Sequence, residues 1–202
     1  MESPITHNEY VPTIGQVVVT EGSRGSAISK TVAWATGSWF THAFLVTGPD
    51  EAAEAWFPRV RTFNLTERMK ELREENRAYA VLELSGMSAE ERQGLVSLSK
   101  RTFLGRFYDV GQAILYGLFR RFVSDGPGTL ICSRYITASF HAGGYNLFPA
   151  ELVARRFASS TRKDNLTRGQ VIPSDLLMSR LSVVRWSPSP TLSHWRACNA
   201  NR

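Results

Sequence analysis

The alternation of apolar and polar residues along the chain predicts five short β-strands. Each is a run of β-branched, aromatic or small apolar residues bounded by glycine, proline or polar residues, a pattern typical of strands in a buried sheet. The predicted strands cover residues 16–20, 42–46, 52–57, 79–84 and 183–186. Gly48, Pro49 and Asp50 lie between the second and third runs, so these two strands are predicted to form a hairpin.

Other segments repeat their apolar residues with helical spacing. Asn64 followed by Glu67, and Ser88 followed by Glu91, have the composition of capped helix starts. The helix that begins after Ser88 is predicted to end at Gly105. The same pattern predicts helices around residues 28–35, 109–122, 132–142 and 171–177.

Helices and strands follow one another without regular alternation, which favours an α+β fold. The chain has 202 residues, enough for one domain with a hydrophobic core. We expect that domain over residues 11–186, with a helical insertion at about 88–124, an N-terminal arm over 1–10 and a C-terminal tail over 187–202. The polar stretch 155–169 predicts a surface loop.

The composition is that of a globular protein with a basic surface. Apolar residues make up 43% of the chain and charged residues 21%, with a formal net charge of +6. The excess charge predicts a solvated basic surface, with an anionic partner as the alternative. No zinc-finger spacing or RNA-binding motif accompanies the charge, so a nucleic-acid partner is not expected. No apolar run is long enough to predict a transmembrane segment.

The first residues of the chain and its two cysteines indicate in which cellular compartment the protein is expected. The first ten residues lack the basic region and apolar core of a signal peptide, which predicts a cytoplasmic protein or one carried within a particle such as a virion. The two cysteines, Cys132 in a patterned segment and Cys198 in the polar tail, have such different contexts that we expect two free thiols. No group of residues has metal-ligand spacing, and no metal or cofactor is expected.

Cys132 is the candidate nucleophile. It stands where a short apolar run changes into helical spacing, and a thiol in the first turn of a helix feels the positive end of the helix dipole, which favours the thiolate. His42 begins a predicted strand and is a candidate base, and Glu54 lies on the next strand at an even separation in sequence. Both side chains are therefore expected on one side of the sheet, where the carboxylate would orient the imidazole towards the thiol.

Six segments in a fixed order resemble the permuted members of the NlpC-type papain-like superfamily, the group around the YiiX-like hydrolases. Together they extend from Gly15 to Leu177, most of the chain. The segments are Gly15-Gln16-Val17-Val18, Thr41-His42-Ala43-Phe44, Glu54-Ala55-Trp56, Gly105-Arg106-Phe107-Tyr108-Asp109, Cys132-Ser133 and Pro173-Ser174-Asp175-Leu176.

The resemblance implies a permuted papain-like core, with a small antiparallel sheet packed against the helix that starts at the cysteine. It implies a thiol hydrolase that cleaves an amide bond, with Cys132 as nucleophile, His42 as base and Glu54 as orienting group. Tyr108 would line the site near the oxyanion or the substrate carbonyl. Substrates in the wider family are often peptidoglycan stem peptides, which implies a cell-wall endopeptidase or amidase.

The sequence departs from the family pattern at three positions. Gln16 replaces an acidic residue, Thr41 replaces a serine, and Arg134 stands where glutamate is usual after the Cys-Ser pair. Arg134 bears on the substrate more than on the three candidate catalytic residues.

Structural roles are the alternative for each candidate. Cys132 could be a small buried side chain, His42 a hydrogen-bonded strand residue, Glu54 an exposed carboxylate and Tyr108 a core aromatic. The aromatic residues that flank the candidates in sequence are expected in the core, with a substrate groove as the alternative: Trp34, Trp39, Phe40, Trp56 and Phe57. At the level of the whole protein, the alternatives are a lipid acyl hydrolase or acyltransferase, and a binding module of a larger assembly such as a phage virion.

Overall fold

The computed structural model describes residues 11–23, 25–26, 29–30, 33–34, 38–108, 131–156 and 171–187. The N-terminal arm, the helix predicted over residues 109–122 and the end of the helical insertion lie outside the described residues. So do all but Ser187 of the C-terminal tail and most of the predicted polar loop.

The centre of the fold is one antiparallel sheet of six strands. In chain order the strands are β1 (Val17–Glu21), β2 (Phe40–Gly48), β3 (Glu51–Trp56), β4 (Arg59–Asn64), β5 (Tyr79–Glu83) and β6 (Ser182–Trp186). Their order across the sheet is β4-β3-β2-β1-β5-β6, so β1 and β2 are central strands. Buried residues alternate with exposed ones only at the edges, because β1 and β2 are covered on both faces.

The strand predictions are confirmed, and one strand was missed. All five predicted strands are present with their ends within two residues of the prediction. Strand β4 was not predicted, because Pro58 precedes it and because Arg59 and Arg61 interrupt its apolar character. It pairs with β3 along its whole length and forms one edge of the sheet.

The helices whose bounds the structure gives are α1 (Leu65–Glu74), α2 (Ala89–Phe103), α3 (Cys132–Ala142), α4 (Ala150–Arg156) and a 3₁₀-helix (Pro173–Met178). Of these, α1 and α2 begin at the caps predicted from the sequence. The side chain of Asn64 caps α1, and Ser88 and Glu91 form a reciprocal capping box at α2.

Helix α4 corrects one prediction. Arg155 and Arg156, predicted as the start of a polar loop, are the last two residues of this helix. The helix escaped prediction because, among its residues 150–154, Val153 alone is buried in the core, so the segment has little apolar periodicity.

The sheet has a layer of helices on each face. Val17, Val19 and Leu45 face α2 and α3, whereas Val18 and Phe44 face α1, as expected when side chains alternate along a strand. Helix α3 packs against β2 and β3, which brings its first residue, Cys132, towards the strands that carry His42 and Glu54. The described part of the chain contains no helix with the length and apolar character needed to cross a membrane.

Candidate active site

Cys132 is the first residue of α3 and lies against the start of β2. Its side chain is buried, with 6% exposure, and its Sγ lies 3.8 Å from the carbonyl oxygen of Thr41. The pairing of β1 with β2 goes from His42 directly to Phe40, so Thr41 sits in a β-bulge. A bulged residue leaves the regular ladder, and the Thr41 carbonyl is therefore directed to the thiol.

The start of α3 presents the positive end of the helix dipole to Cys132. Its first turn carries no acidic residue, and no side chain caps it at Ile131. The N–H groups of this turn therefore act on Cys132 without a competing carboxylate from the same turn. The Ser133 hydroxyl donates a 2.5 Å hydrogen bond to the Val171 carbonyl and so fixes the position of this turn.

His42 lies between Cys132 and Glu54. Its Nε2 is 2.8 Å from Oε2 of Glu54, and the edge of its ring meets the Trp56 ring at a centroid distance of 5.2 Å. The His42–Glu54 contact requires both side chains to lie on the same side of the sheet. Cys132 interacts electrostatically with His42 and is one of the groups that raise the pKa of the imidazole.

Glu54 is completely buried and fully paired. Arg61 donates from Nε and Nη2 to Oε1 at 3.0 and 2.9 Å, and Arg68 Nη1 lies 3.4 Å from Oε2. The exposed-carboxylate alternative for Glu54 is therefore wrong. A buried carboxylate with two arginines and a histidine around it is held in its ionised form.

The surroundings shift the pKa values of both members of the His42–Glu54 pair. Burial alone would lower the pKa of His42, but hydrogen bonds and charge interactions with Cys132 and Glu54 outweigh it and raise the pKa to about 9. Burial alone would raise the pKa of Glu54, but His42, Arg68 and Arg61 outweigh it and lower the pKa to about 2. The site therefore favours imidazolium and carboxylate near neutral pH.

These shifts predict how stability depends on pH. The Glu54 contribution is fully present above its ordinary pKa of 4.5 and is lost as the pH falls towards about 2. The His42 contribution is fully present below its ordinary pKa of 6.5 and is lost as the pH rises through about 9. Urea unfolding across this range should show maximal stability between the two ordinary values, and His42→Asn should remove most of the alkaline decline. An unchanged alkaline decline in that variant would contradict the assignment to His42.

Tyr108 lies near the β3–β4 turn. Its backbone N–H donates to the Pro58 carbonyl at 2.9 Å, and Phe107 forms an isolated bridge with Arg59. The ring of Tyr108 is partly buried against the larger core cluster. This places Tyr108 beside the turn that follows Trp56, the residue whose ring meets His42.

The three departures from the family pattern have different surroundings. Gln16 accepts from the Thr13 N–H and donates to Glu83, next to the end of β1 away from His42. The Thr41 hydroxyl is buried and has no hydrogen-bond partner within the described part of the protein. Arg134 is half-buried in the first turn of α3.

The aromatic residues around the site differ from the expectation of core packing. Phe40 is buried, as expected, but the other four are exposed: Trp34, Trp39, Trp56 and Phe57. The prediction was wrong for these four: Trp39, Trp56 and Phe57 lie at strand ends or in a turn, and Trp34 lies on a helical segment. Trp56, in contact with His42, thus links the candidate site to the surface.

Sequence reasoning also missed the two arginines that bind Glu54. Arg61 could have been found by treating residues 52–64 as a second hairpin, since the observed register sets Arg61 directly opposite Glu54. Arg68 had no such signal, because its contact depends on how α1 packs on the sheet.

The fold and the site define a class: an α+β chain in which a cysteine at a helix start lies against a strand of an antiparallel sheet, and a histidine of that strand pairs with a glutamate of the next. No protein-family model matches the sequence, and no curated protein matches it. The fold is similar to that of the solved metalloprotein YiiX from Escherichia coli O157:H7, with 19% sequence identity and a TM-score of 0.61. The match covers 88% of this chain and 99% of YiiX. At this identity the similarity shows a YiiX-like fold.

YiiX is called a metalloprotein, so the residues of this site are compared with the ligands that a metal ion requires. Within the described ranges, no three His, Cys, Asp or Glu side chains are grouped as ligands of one ion. The carboxylate of Glu54 is already occupied by two arginines and His42. These residues do not fit a metal centre.

Proposed function

We propose that this protein is a thiol hydrolase that cleaves an amide bond through an acyl-enzyme intermediate. The observation that supports this best is that His42 Nε2 pairs with Glu54 Oε2 at 2.8 Å while Cys132 Sγ lies 3.8 Å from the carbonyl oxygen of Thr41, the residue before His42. Nucleophile, base and orienting carboxylate are the three groups that thiol acyl transfer requires. Their chain order, with His42 and Glu54 before Cys132, is the order of a permuted papain-like fold.

In the first half of the proposed reaction, the Cys132 thiolate attacks the carbonyl carbon of the amide and forms a C–S bond. The imidazolium of His42 gives its proton to the leaving nitrogen as the C–N bond breaks, so the first product is a neutral amine. The N–H groups of the first turn of α3 would stabilise the negative charge on the carbonyl oxygen.

In the second half, His42 takes a proton from a water molecule, whose oxygen attacks the thioester carbon. The C–S bond breaks, the carboxylic acid leaves, and the thiolate–imidazolium pair returns. Glu54 would hold the imidazole in one tautomer through both halves. Tyr108 is proposed to line the carbonyl side of the site from the segment beside the β3–β4 turn.

The first substrate class to test is the stem-peptide amide of peptidoglycan, which the family resemblance implies. The second is an acyl lipid, for hydrolysis or acyl transfer. The exposed Trp56, whose ring meets His42, favours it because this residue and the exposed Phe57 that follows it in sequence offer apolar surface. A search with wall fragments and with acyl lipids, monitored by mass spectrometry, separates the two classes.

Thiol alkylation tests the proposed pair without knowledge of the substrate. In a Cys198→Ser background, the rate of iodoacetamide alkylation of Cys132 should remain high below the ordinary thiol range, and His42→Asn should abolish this low-pH reactivity. His141→Asn, a change on the last turn of α3, is the matched control and should leave the profile unchanged.

The result also separates an enzyme from a binding module of a larger assembly. A thiol that reacts only at alkaline pH in the parent protein, with no dependence on His42, would refute the hydrolase and favour the module.

A further inference from the structure

We propose that Arg61 and Arg68 are positioning residues. They fix the Glu54 carboxylate beside His42 and reduce the electrostatic attraction between this carboxylate and the imidazolium. The inference rests on the proposed function and adds two residues to its site. Neither arginine belongs to the catalytic trio, and both act through Glu54.

The contacts of Glu54 divide its two oxygens between different partners. Arg61 donates two hydrogen bonds from one guanidinium to Oε1, at 3.0 and 2.9 Å. This planar, two-bond contact orients the carboxylate and directs Oε2 to Nε2 of His42 at 2.8 Å.

Arg68 approaches the same oxygen as His42. Its Nη1 lies 3.4 Å from Oε2, and its Nε is fixed by Glu71 Oε2 at 3.1 Å. Arg68 and His42 therefore compete for one oxygen of Glu54. A competing cation lowers the attraction that the carboxylate can exert on a protonated imidazole.

Aromatic rings hold both guanidiniums in place. Arg61 lies over the Trp56 ring at 5.5 Å, and Arg68 lies over the Phe63 ring at 4.7 Å. Trp56 also meets the His42 ring, so Arg61, Trp56 and His42 form one packed group above Glu54. This arrangement keeps two positive charges beside a single buried carboxylate.

The charged groups around this carboxylate come from each element that packs on it. His42 comes from β2, Arg61 from β4 and Arg68 from α1, while Cys132 faces His42 from α3. With two guanidiniums present, the imidazolium gains less from Glu54 than it would from an isolated carboxylate. The arginines thus make it easier for His42 to give its proton to the leaving nitrogen in the first half of the proposed reaction.

An NMR titration of the His42 ring tests this inference. Removing one positive charge should favour the imidazolium, so Arg61→Gln should raise the His42 titration midpoint by about one pH unit. Arg68→Gln should shift the midpoint in the same direction, and Arg61→Lys should restore part of the parent value. Arg61 is 48% exposed, so Arg61→Gln is expected to fold.

Arg59→Gln is the matched control. Arg59 lies on the same strand, rests over Phe107 at 4.8 Å and makes no described bond to Glu54. Superimposable titration curves for the parent, Arg61→Gln and Arg68→Gln would overturn the inference, as would an equal shift in Arg59→Gln. The proposed function fails separately, if Cys132 alkylation is independent of His42 in the parent protein.

Discussion

Replacing Cys132 by alanine is expected to reduce hydrolysis of an amide substrate by roughly 10⁴-fold or more, because the acyl-enzyme cannot form without the sulfur. The assay is release of amine product from purified wall fragments or from the acyl substrate found in the search, measured by mass spectrometry. Cys132→Ser should be almost as impaired, because a hydroxyl is not ionised by the same surroundings.

The control for this prediction is Cys198→Ala, which removes the other thiol of the chain and should retain full turnover. His42→Asn should lose about as much activity as Cys132→Ala, because nucleophile and base act as a unit. The double variant Cys132→Ala/His42→Asn should then hydrolyse the substrate only slightly more slowly than Cys132→Ala. Full turnover in Cys132→Ala would exclude the thiol mechanism, whatever the activity of His42→Asn.

Local sequence patterns predicted most of the secondary structure, because helix caps and the spacing of apolar residues each involve only a few neighbouring residues. The reciprocal cap of Ser88 and Glu91 and the glycines after Phe140 mark helix ends without any knowledge of the fold. Strand β4 was missed because its two arginines hide the period of its apolar residues. Both arginines are exposed residues of this edge strand, and Arg61 lies directly opposite Glu54, whose negative charge it pairs with.

The candidate site was predictable only in part, since its residues come from distant segments. An even sequence separation was enough to expect His42 and Glu54 on one side of a hairpin, and they are in contact. The approach of Cys132 to β2 needed the family resemblance, because no local pattern relates it to His42. The bulge at Thr41 and the position of Arg68 depend on how whole elements pack, so no short segment of sequence contains them.

Glu54→Ala is expected to lower the free energy of unfolding by about 3–5 kcal/mol, the cost typical of removing one partner from a buried ionic group. The substitution leaves the guanidiniums of Arg61 and Arg68 and the imidazole of His42 without their common acceptor. It also leaves a small cavity at a position with no solvent exposure. Urea unfolding near pH 6 measures the loss.

Glu74→Ala is the matched control for removing a carboxylate. Glu74 pairs with Lys70 at 3.7 Å on the outer face of α1, and both side chains are about two-thirds exposed, so the free energy of unfolding should hardly change. A Glu54→Ala protein as stable as Glu74→Ala would contradict the buried network described here.

Glu54→Gln separates stability from catalysis. The amide keeps the shape of the side chain and one acceptor oxygen, so Arg61 can retain hydrogen bonds and the stability loss should be smaller than for Glu54→Ala. The amide has no negative charge to hold the imidazolium, so the His42 titration midpoint should fall even though the protein remains folded. A folded Glu54→Gln protein with the His42 midpoint of the parent would mean that Glu54 has only a structural role and does not influence the protonation state of His42.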